Sequence, residues 1–233
     1  RMAEQHMLKE DTRDMVALYN KLPLAELPVL MPDFDWDAYL EAAVISDIDG
    51  LVVTQLDYMK ALDGIITDTS LEDWKTFLNW KVLNANASYL DEALDKQNFE
   101  FYSKTLRGVE QQLPRWKRAV ANVNNNLGEV VGKVYVARHF PPEAKEAMLE
   151  LVTNLIKAYD TSIRDLDWMG EETKAQALDK LHKFTPKIGY PDTGKDYSSL
   201  EIRNDDLVGN MQRSALFVYE TNLARQGGPV DKT

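Results

Sequence analysis

The sequence contains no cysteine. Disulfides, thiolate zinc sites and cysteine nucleophiles are therefore excluded together, and the redox compartment stays undecided. Histidine is scarce as well: His6, His139 and His182 are the only three. A zinc-peptidase helix needs two histidines one turn apart with a glutamate between them, so that both ligands and the general base share one face. No pair here has that spacing, and surface or cap-adjacent histidine is the favoured reading of all three. No apolar run approaches the roughly 20 residues that span a bilayer, and no charged-then-apolar leader precedes a cleavage site. Positive charge is in deficit, with 27 Lys and Arg against 38 Asp and Glu, a net charge of −11. Such a surface repels phosphate backbones and anionic lipid, so neither nucleic acid nor membrane contact by this segment is expected.

What remains is ordinary globular material: 233 residues, 44% hydrophobic and 28% charged, without internal repeats. That length suits one large domain or two small ones and is enough to bury a core. Helical signals dominate. From Pro142 to Asp167 apolar residues fall at Met148, Leu151, Val152, Leu155, Ile156, Tyr159, Ile163 and Leu166, the period of one buried helix face. Pro141 and Pro142 suit its first turn, where no intrahelical N–H bond is lost. Gly170 is a tolerable N-cap for a helix over Glu171 to Lys183, which must stop before Thr185-Pro186. Thr69-Ser70-Leu71-Glu72 reads as a capping box opening a helix with Trp74, Phe77, Leu78 and Val82 on one face. Further helices are expected over Asp95–Leu106, Arg115 to about Arg138, and Asp205–Ala224. Met2 to Leu8 reads as helix interior without a cap, as though the chain began partway through an element. Strand signals are confined to Leu51–Thr54, with Lys187–Tyr190 extended at best. Loops are expected at Leu22–Asp35, Ser46–Gly50 and Tyr190–Ser199. In the first of these, Leu24, Leu27, Leu30 and Met31 favour packing over a polyproline ligand built on Pro23, Pro28 and Pro32. The expected fold class is mainly α, a multi-helix lobe with at most one or two short strands, and residues 1–233 form a single helical lobe.

Several patterns resemble functional motifs and fail on inspection. Glu10/Asp14 and Glu201/Asp205 have the Glu-x-x-x-Asp spacing of a third zinc ligand, which means little without the histidine pair. Ser46-Asp47-Ile48-Asp49-Gly50 has a hint of a calcium loop, but Ile45 and Leu56 stand where oxygen ligands belong. Gly189, Gly194 and Lys195 match phosphate-loop spacing, yet Asp196 replaces the magnesium-binding hydroxyl and Pro191 removes an N–H. Gly128 and Gly132, in a helical stretch, suggest close packing. Asp165 with Asp167, or Glu171 with Glu172, could be named as acid–base pairs only because carboxylates are plentiful. Trp74/Phe77/Trp80 and Phe99/Phe101/Tyr102 read as core, and Asn86-Ala87-Ser88 as a chance glycosylation triplet. No catalytic, cofactor-binding or metal-binding residue is assigned.

An ordered series of blocks carries a family signature. Phe99-Glu100-Phe101-Tyr102 is followed by Arg115-Trp116-Lys117-Arg118-Ala119-Val120, then by Leu127-Gly128-Glu129-Val130-Val131-Gly132-Lys133-Val134-Tyr135-Val136. His139-Phe140-Pro141-Pro142-Glu143-Ala144-Lys145 comes next, then Leu166-Asp167-Trp168-Met169-Gly170-Glu171-Glu172-Thr173-Lys174-Ala175, and finally Lys187-Ile188-Gly189-Tyr190-Pro191-Asp192. The series resembles the helical, non-catalytic lobe of neprilysin-family zinc metallopeptidases, bacterial oligopeptidases included. The likeness is strongest from Phe99 to Asp192, continues more weakly upstream through Arg13-Asp14, Tyr19-Asn20 and Phe34-Asp35-Trp36, and is faint beyond Thr193. Ala119 stands where animal members carry Cys, and Gly170 where many relatives have Ser, which suits a bridge-free bacterial protein.

The resemblance implies a fragment of a larger two-lobed peptidase. Zinc and every catalytic residue would lie in the full-length parent beyond the point matching Thr233, with no cofactor in this segment. The partners implied are the missing catalytic lobe of the same polypeptide and an oligopeptide substrate, which this lobe would gate by size. Family habit favours a periplasmic or other extracytoplasmic location over the cytoplasm. Two alternatives stand beside this one: a stand-alone helical module that binds protein or peptide without enzyme activity, and an independent enzyme with an unrecognised site.

Overall fold

A computed structural model describes residues 1–230, which cluster into two compact units, 1–98 and 99–230. The first unit opens on a short 3-10 turn at Met2–Gln5 without a side-chain cap. Strand β1 (Lys21–Pro23) pairs antiparallel with β2 (Gly50–Val52), Leu22 facing Leu51. Between them lie α1 (Leu27–Leu30) and α2 (Trp36–Ala42). The residues expected to form a Pro-rich loop thus fold into a strand and a helical turn, with Pro28 in the first turn of α1, where a missing N–H costs nothing. Their packing role is as expected. Leu27 and Met31 are each 1% exposed and, with Leu30, Trp36 and Val53, form the core of this unit. Leu51, Met59, Leu62 and Ile66 close over it, the last three from α3 (Leu56–Asp68).

Helix α4 (Leu71–Asn86) begins where the sequence places it, but the cap is displaced by one residue. The Ser70 hydroxyl accepts the Asp73 N–H at 3.1 Å and donates to the Asp73 carboxylate at 2.7 Å, so the box is Ser70/Asp73 and not Thr69/Glu72. Its expected buried face is largely open: Trp74 is half-buried, while Phe77, Leu78 and Val82 are exposed. Helix α5 (Glu92–Asn98) ends the unit.

The second unit starts with a rare π-helix, Phe99–Thr105, where a continuous α-helix was expected. The Thr105 hydroxyl donates to the Glu100 carbonyl (2.8 Å) and Arg107 Nε to that of Tyr102 (3.0 Å), both five residues back. Helix α6 (Arg115–His139) breaks at Leu127, whose φ and ψ of −129° and 30° leave the helical region. The Asn126 amide donates to the Asn122 carbonyl at 2.8 Å, and Gly128 follows with its low helix propensity. A Cβ at Gly128 or Gly132 would meet nothing within 4 Å, so the close packing expected there is not found. Helices α7 (Pro142–Asp165) and α8 (Glu171–His182) pack against each other, and α9 (Leu207–Leu223) carries the buried Asn210, Ser214 and Phe217. Lys187–Tyr190 forms no strand. Nine α-helices and one two-stranded sheet among the described residues make the chain mainly α.

Candidate functional site

The first unit holds a cleft of about 610 Å³, a volume in the range of small-ligand pockets. Its walls are aromatic and aliphatic. Phe34 and Trp36 meet edge to face at 4.9 Å and Trp36 and Tyr39 at 5.9 Å; His6 and Tyr58 meet at 5.5 Å. Two sequence features bring these rings together. The Asp35 carboxylate caps α2 through the Ala38 N–H (2.9 Å), turning Trp36 inward, and the Leu51–Gln55 segment passes beneath, held by Val53 N–H to the Asn20 carbonyl at 2.9 Å. Gln55 Oε1 accepts the Met7 N–H at 3.0 Å and ties the N-terminal segment to the rim. Buried nearby on α3, Asp63 accepts the Asp33 N–H at 3.4 Å with one oxygen.

The second unit carries three polar clusters. Lys145, its side chain 16% exposed, centres the first. Its ammonium donates to the Tyr190 carbonyl (2.8 Å) and to Asp192 (2.6 Å), and lies 4.5 Å from the centre of the Tyr190 ring. Gly189 makes this turn possible, with φ of +70° and Phe140 so close that a Cβ would lie 2.8 Å from its ring. The second cluster joins α7 to α8. Asp160 accepts both Arg164 (2.6 and 3.2 Å) and His182 Nε2 (2.7 Å), and these hydrogen bonds, Arg164 first, hold its carboxyl below the usual range. The third organises the start of α9. Asp206 caps the helix through the Gly209 N–H at 2.9 Å and pairs with Arg213 at 3.0 Å, which lowers its pKa, Arg213 first. Asn210 fastens the preceding segment by accepting the Arg203 N–H (2.8 Å) and donating to the Arg203 carbonyl (2.6 Å).

The structure keeps the sequence candidates apart or gives them local duties. His6 packs on Tyr58, His139 lies 4.9 Å from Tyr135 at the end of α6, and His182 pairs with Asp160. Asp14 accepts the Val16 and Ala17 N–H groups, and Glu201 accepts Nε and Nη2 of Arg203 at 2.8 and 2.9 Å. Asp47 sits in a turn with φ of +56°. The would-be phosphate loop spends the Lys195 N–H on the Glu129 carboxylate, and Lys195 Nζ lies 4.6 Å from the Phe217 ring centre. A carboxylate occupying that N–H is incompatible with a phosphate in the same place. Among the described residues no three His, Asp or Glu side chains converge. Asn86 uses its amide on the Val82 carbonyl at 2.9 Å. The aromatic cleft was missed in the sequence. Its only signal there was the alternation in Asp33-Phe34-Asp35-Trp36-Asp37.

The family model described as Peptidase family M13 matches residues 1–191. Neprilysin-11 of Caenorhabditis elegans is 27% identical over 99% of the chain and 29% of its own length. An endothelin-converting enzyme homolog of Locusta migratoria is 29% identical over 97% of the chain and 33% of its own length. The zinc metalloprotease Zmp1 of Mycobacterium tuberculosis, in its open state, matches with a TM-score of 0.89 at 42% identity, covering 99% of this chain and 36% of that one. Its inhibitor complex matches with a TM-score of 0.83 at 41% identity. The chain thus spans about a third of the length of these relatives.

Proposed function

Since this chain belongs to peptidase family M13, as its mainly helical N-terminal region, we propose that it serves as the substrate-gating, non-catalytic lobe of a zinc metalloendopeptidase. In this reading both compact units belong to one lobe, and the zinc, its ligands and the general base stand downstream in the same polypeptide. The lobe's work is exclusion. A wall of packed helices opposite a catalytic lobe admits flexible oligopeptides and turns away folded proteins, which takes shape and not titratable groups. The observation that carries the reading is the match over 99% of this chain to 36% of a zinc metalloprotease at 42% identity. Uncovered apolar stripes on α4 and α7 also support it, because isolated soluble surfaces rarely leave such stripes bare.

The test compares the 233-residue chain with the longer product of its gene, using quenched fluorescent peptides of increasing length and a folded protein substrate. The expected result is chelator-sensitive cleavage of short peptides by the longer product, a sharp fall with substrate size, and none by the 233-residue chain. Chelator-sensitive hydrolysis by the 233-residue chain, or cleavage by the longer product without a size limit, overturns the proposal. The second reading, a binding module without enzyme activity, draws on the aromatic cleft of the first unit. A stop codon shortly after Thr233 in the gene favours it.

A further inference from the structure

The cleft of the first unit lies beside an unpaired strand edge. Leu51 opposes Leu22 in the β1–β2 ladder, Val53 N–H donates to Asn20, and Leu24 N–H donates to Asp49. In an antiparallel ladder the intervening residues turn their N–H and C=O groups the other way. Gly50 and Val52 therefore present theirs to the outside, and no third strand pairs with them among the described residues. Val52 is 49% exposed and lines the cleft. An edge of this kind is a template for one more strand.

Charge narrows what that strand can be. The cleft lining contains no Asp, Glu, Lys or Arg, but the segments that build it alternate with acid. Asp33, Asp35 and Asp37 flank Phe34 and Trp36, Asp57 precedes Tyr58, and all four are exposed; Asp57 lies 3.9 Å from the Lys60 ammonium. The whole unit shares the bias: residues 1–98 hold eight Lys and Arg against nineteen Asp and Glu, whereas residues 99–233 hold nineteen of each. The entire net charge of −11 thus sits on the unit with the cleft. A second copy of the chain would bring the same field and be repelled; a cationic segment would be drawn in.

We propose that the first unit binds an extended basic peptide, which adds a strand to the outer edge of β2. Alternate side chains of such a strand point to one face. An aromatic or branched aliphatic residue enters the cleft between Phe34, Tyr39 and Tyr58, and intervening Lys or Arg residues meet the acidic rim. Backbone pairing supplies affinity and the pocket supplies selectivity, the division of labour in strand addition. The inference rests on the peptide-handling reading above and adds to it the class of peptide and a holding place that needs no catalytic lobe.

The test is fluorescence anisotropy with the 233-residue chain and an acetylated, fluorescein-labelled heptapeptide, Lys-Val-Lys-Phe-Lys-Val-Lys. Controls are the same peptide with Glu for every Lys, and a backbone N-methylated version that cannot pair. The expected result is saturable binding of the basic peptide that weakens with salt, with no binding of the acidic one. Val52→Pro removes one outward N–H without touching the β1 bonds, and Tyr39→Ala removes an aromatic wall. Each should weaken binding by about three- to tenfold, as loss of one hydrogen bond or contact does. The N-methylated peptide tests pairing without altering the protein, should Val52→Pro unfold it. Absence of saturable binding overturns the proposal, as does equal binding of the N-methylated peptide or of Tyr39→Ala, since bulk charge attraction would then suffice. Peptide cleavage by the longer gene product is read separately, so the gating proposal stands or falls on its own assay.

Discussion

Val44 and Gly189, two of the residues with left-handed backbone, adopt it for opposite reasons. At the end of α2, Ile45 N–H bonds to the Leu40 carbonyl and Val44 N–H to that of Glu41, both at 3.0 Å. This is the Schellman pattern, whose left-handed position normally belongs to glycine. Val44 fills it at φ of +53° although its β-branched side chain resists that conformation, and at 73% exposure it gains little packing in return. Gly189 holds φ of +70° with Phe140 against it, so glycine is needed there twice over. Replacements should therefore move stability in opposite directions. Val44→Gly is expected to raise the urea midpoint by the equivalent of about 0.5–1 kcal/mol, the relieved strain less the extra entropy of glycine in the unfolded chain. Gly189→Ala is expected to lower it by about 1–3 kcal/mol and to speed trypsin cleavage at Lys187, as the Lys145 clamp loses its turn. A midpoint lowered by Val44→Gly would show that the valine side chain has a packing role the exposure does not suggest.

At the scale of elements, electrostatics couples what packing leaves loose. None of α6, α7 and α8 has a fully buried residue, and Asp160 joins the last two by accepting Arg164 within α7 and His182 across to α8. Because folding lowers the Asp160 pKa, its stabilisation is complete above the pKa of an unfolded aspartate and is lost as pH falls through the lowered folded value, below about pH 4. Asp160→Asn should accordingly speed hydrogen exchange in α8 at neutral pH, and the difference from the parent should vanish in acid. Equal exchange at neutral pH would show that the α7–α8 pairing owes nothing to this ion pair. The same elements show what the sequence discloses. Helices α4, α6, α7, α8 and α9 were legible because their period is long and Pro114, Pro142 and Gly170 mark three of the starts; the α4 cap was read one residue early, at Thr69, and the α9 start two residues early, at Asp205. Helices α1, α2 and α3 were not. The first two are short, and α1 is specified by burial of Leu27 and Leu30 in a core to which α3, distant in sequence, contributes. The cleft was hidden for the same reason, since its walls come from four separate segments.

At the scale of the whole molecule, periodicity marked which faces are apolar but not what covers them. Along α7, Val152, Ile156 and Ile163 are half-buried, while Met148, Leu151, Leu155 and Tyr159 form a parallel stripe that is 42–56% exposed. Two stripes on one helix mean two partners in a fully packed molecule, and the described residues supply one of them, α8. Under the gating proposal the second is supplied by the roughly two-thirds of its relatives' length that this chain does not span. The double substitution Leu151→Lys, Leu155→Lys separates the possibilities. In the 233-residue chain both positions face water, so each change should stay within about 0.5 kcal/mol and leave helicity intact. In the longer gene product the same lysines would be buried without partners at a cost of several kcal/mol, and soluble yield and peptide cleavage should fall together. Unchanged yield and cleavage in the longer product would mean that this stripe faces solvent there too, and the covering surface would have to be sought on α4, where Leu78, Val82 and Leu83 are equally bare.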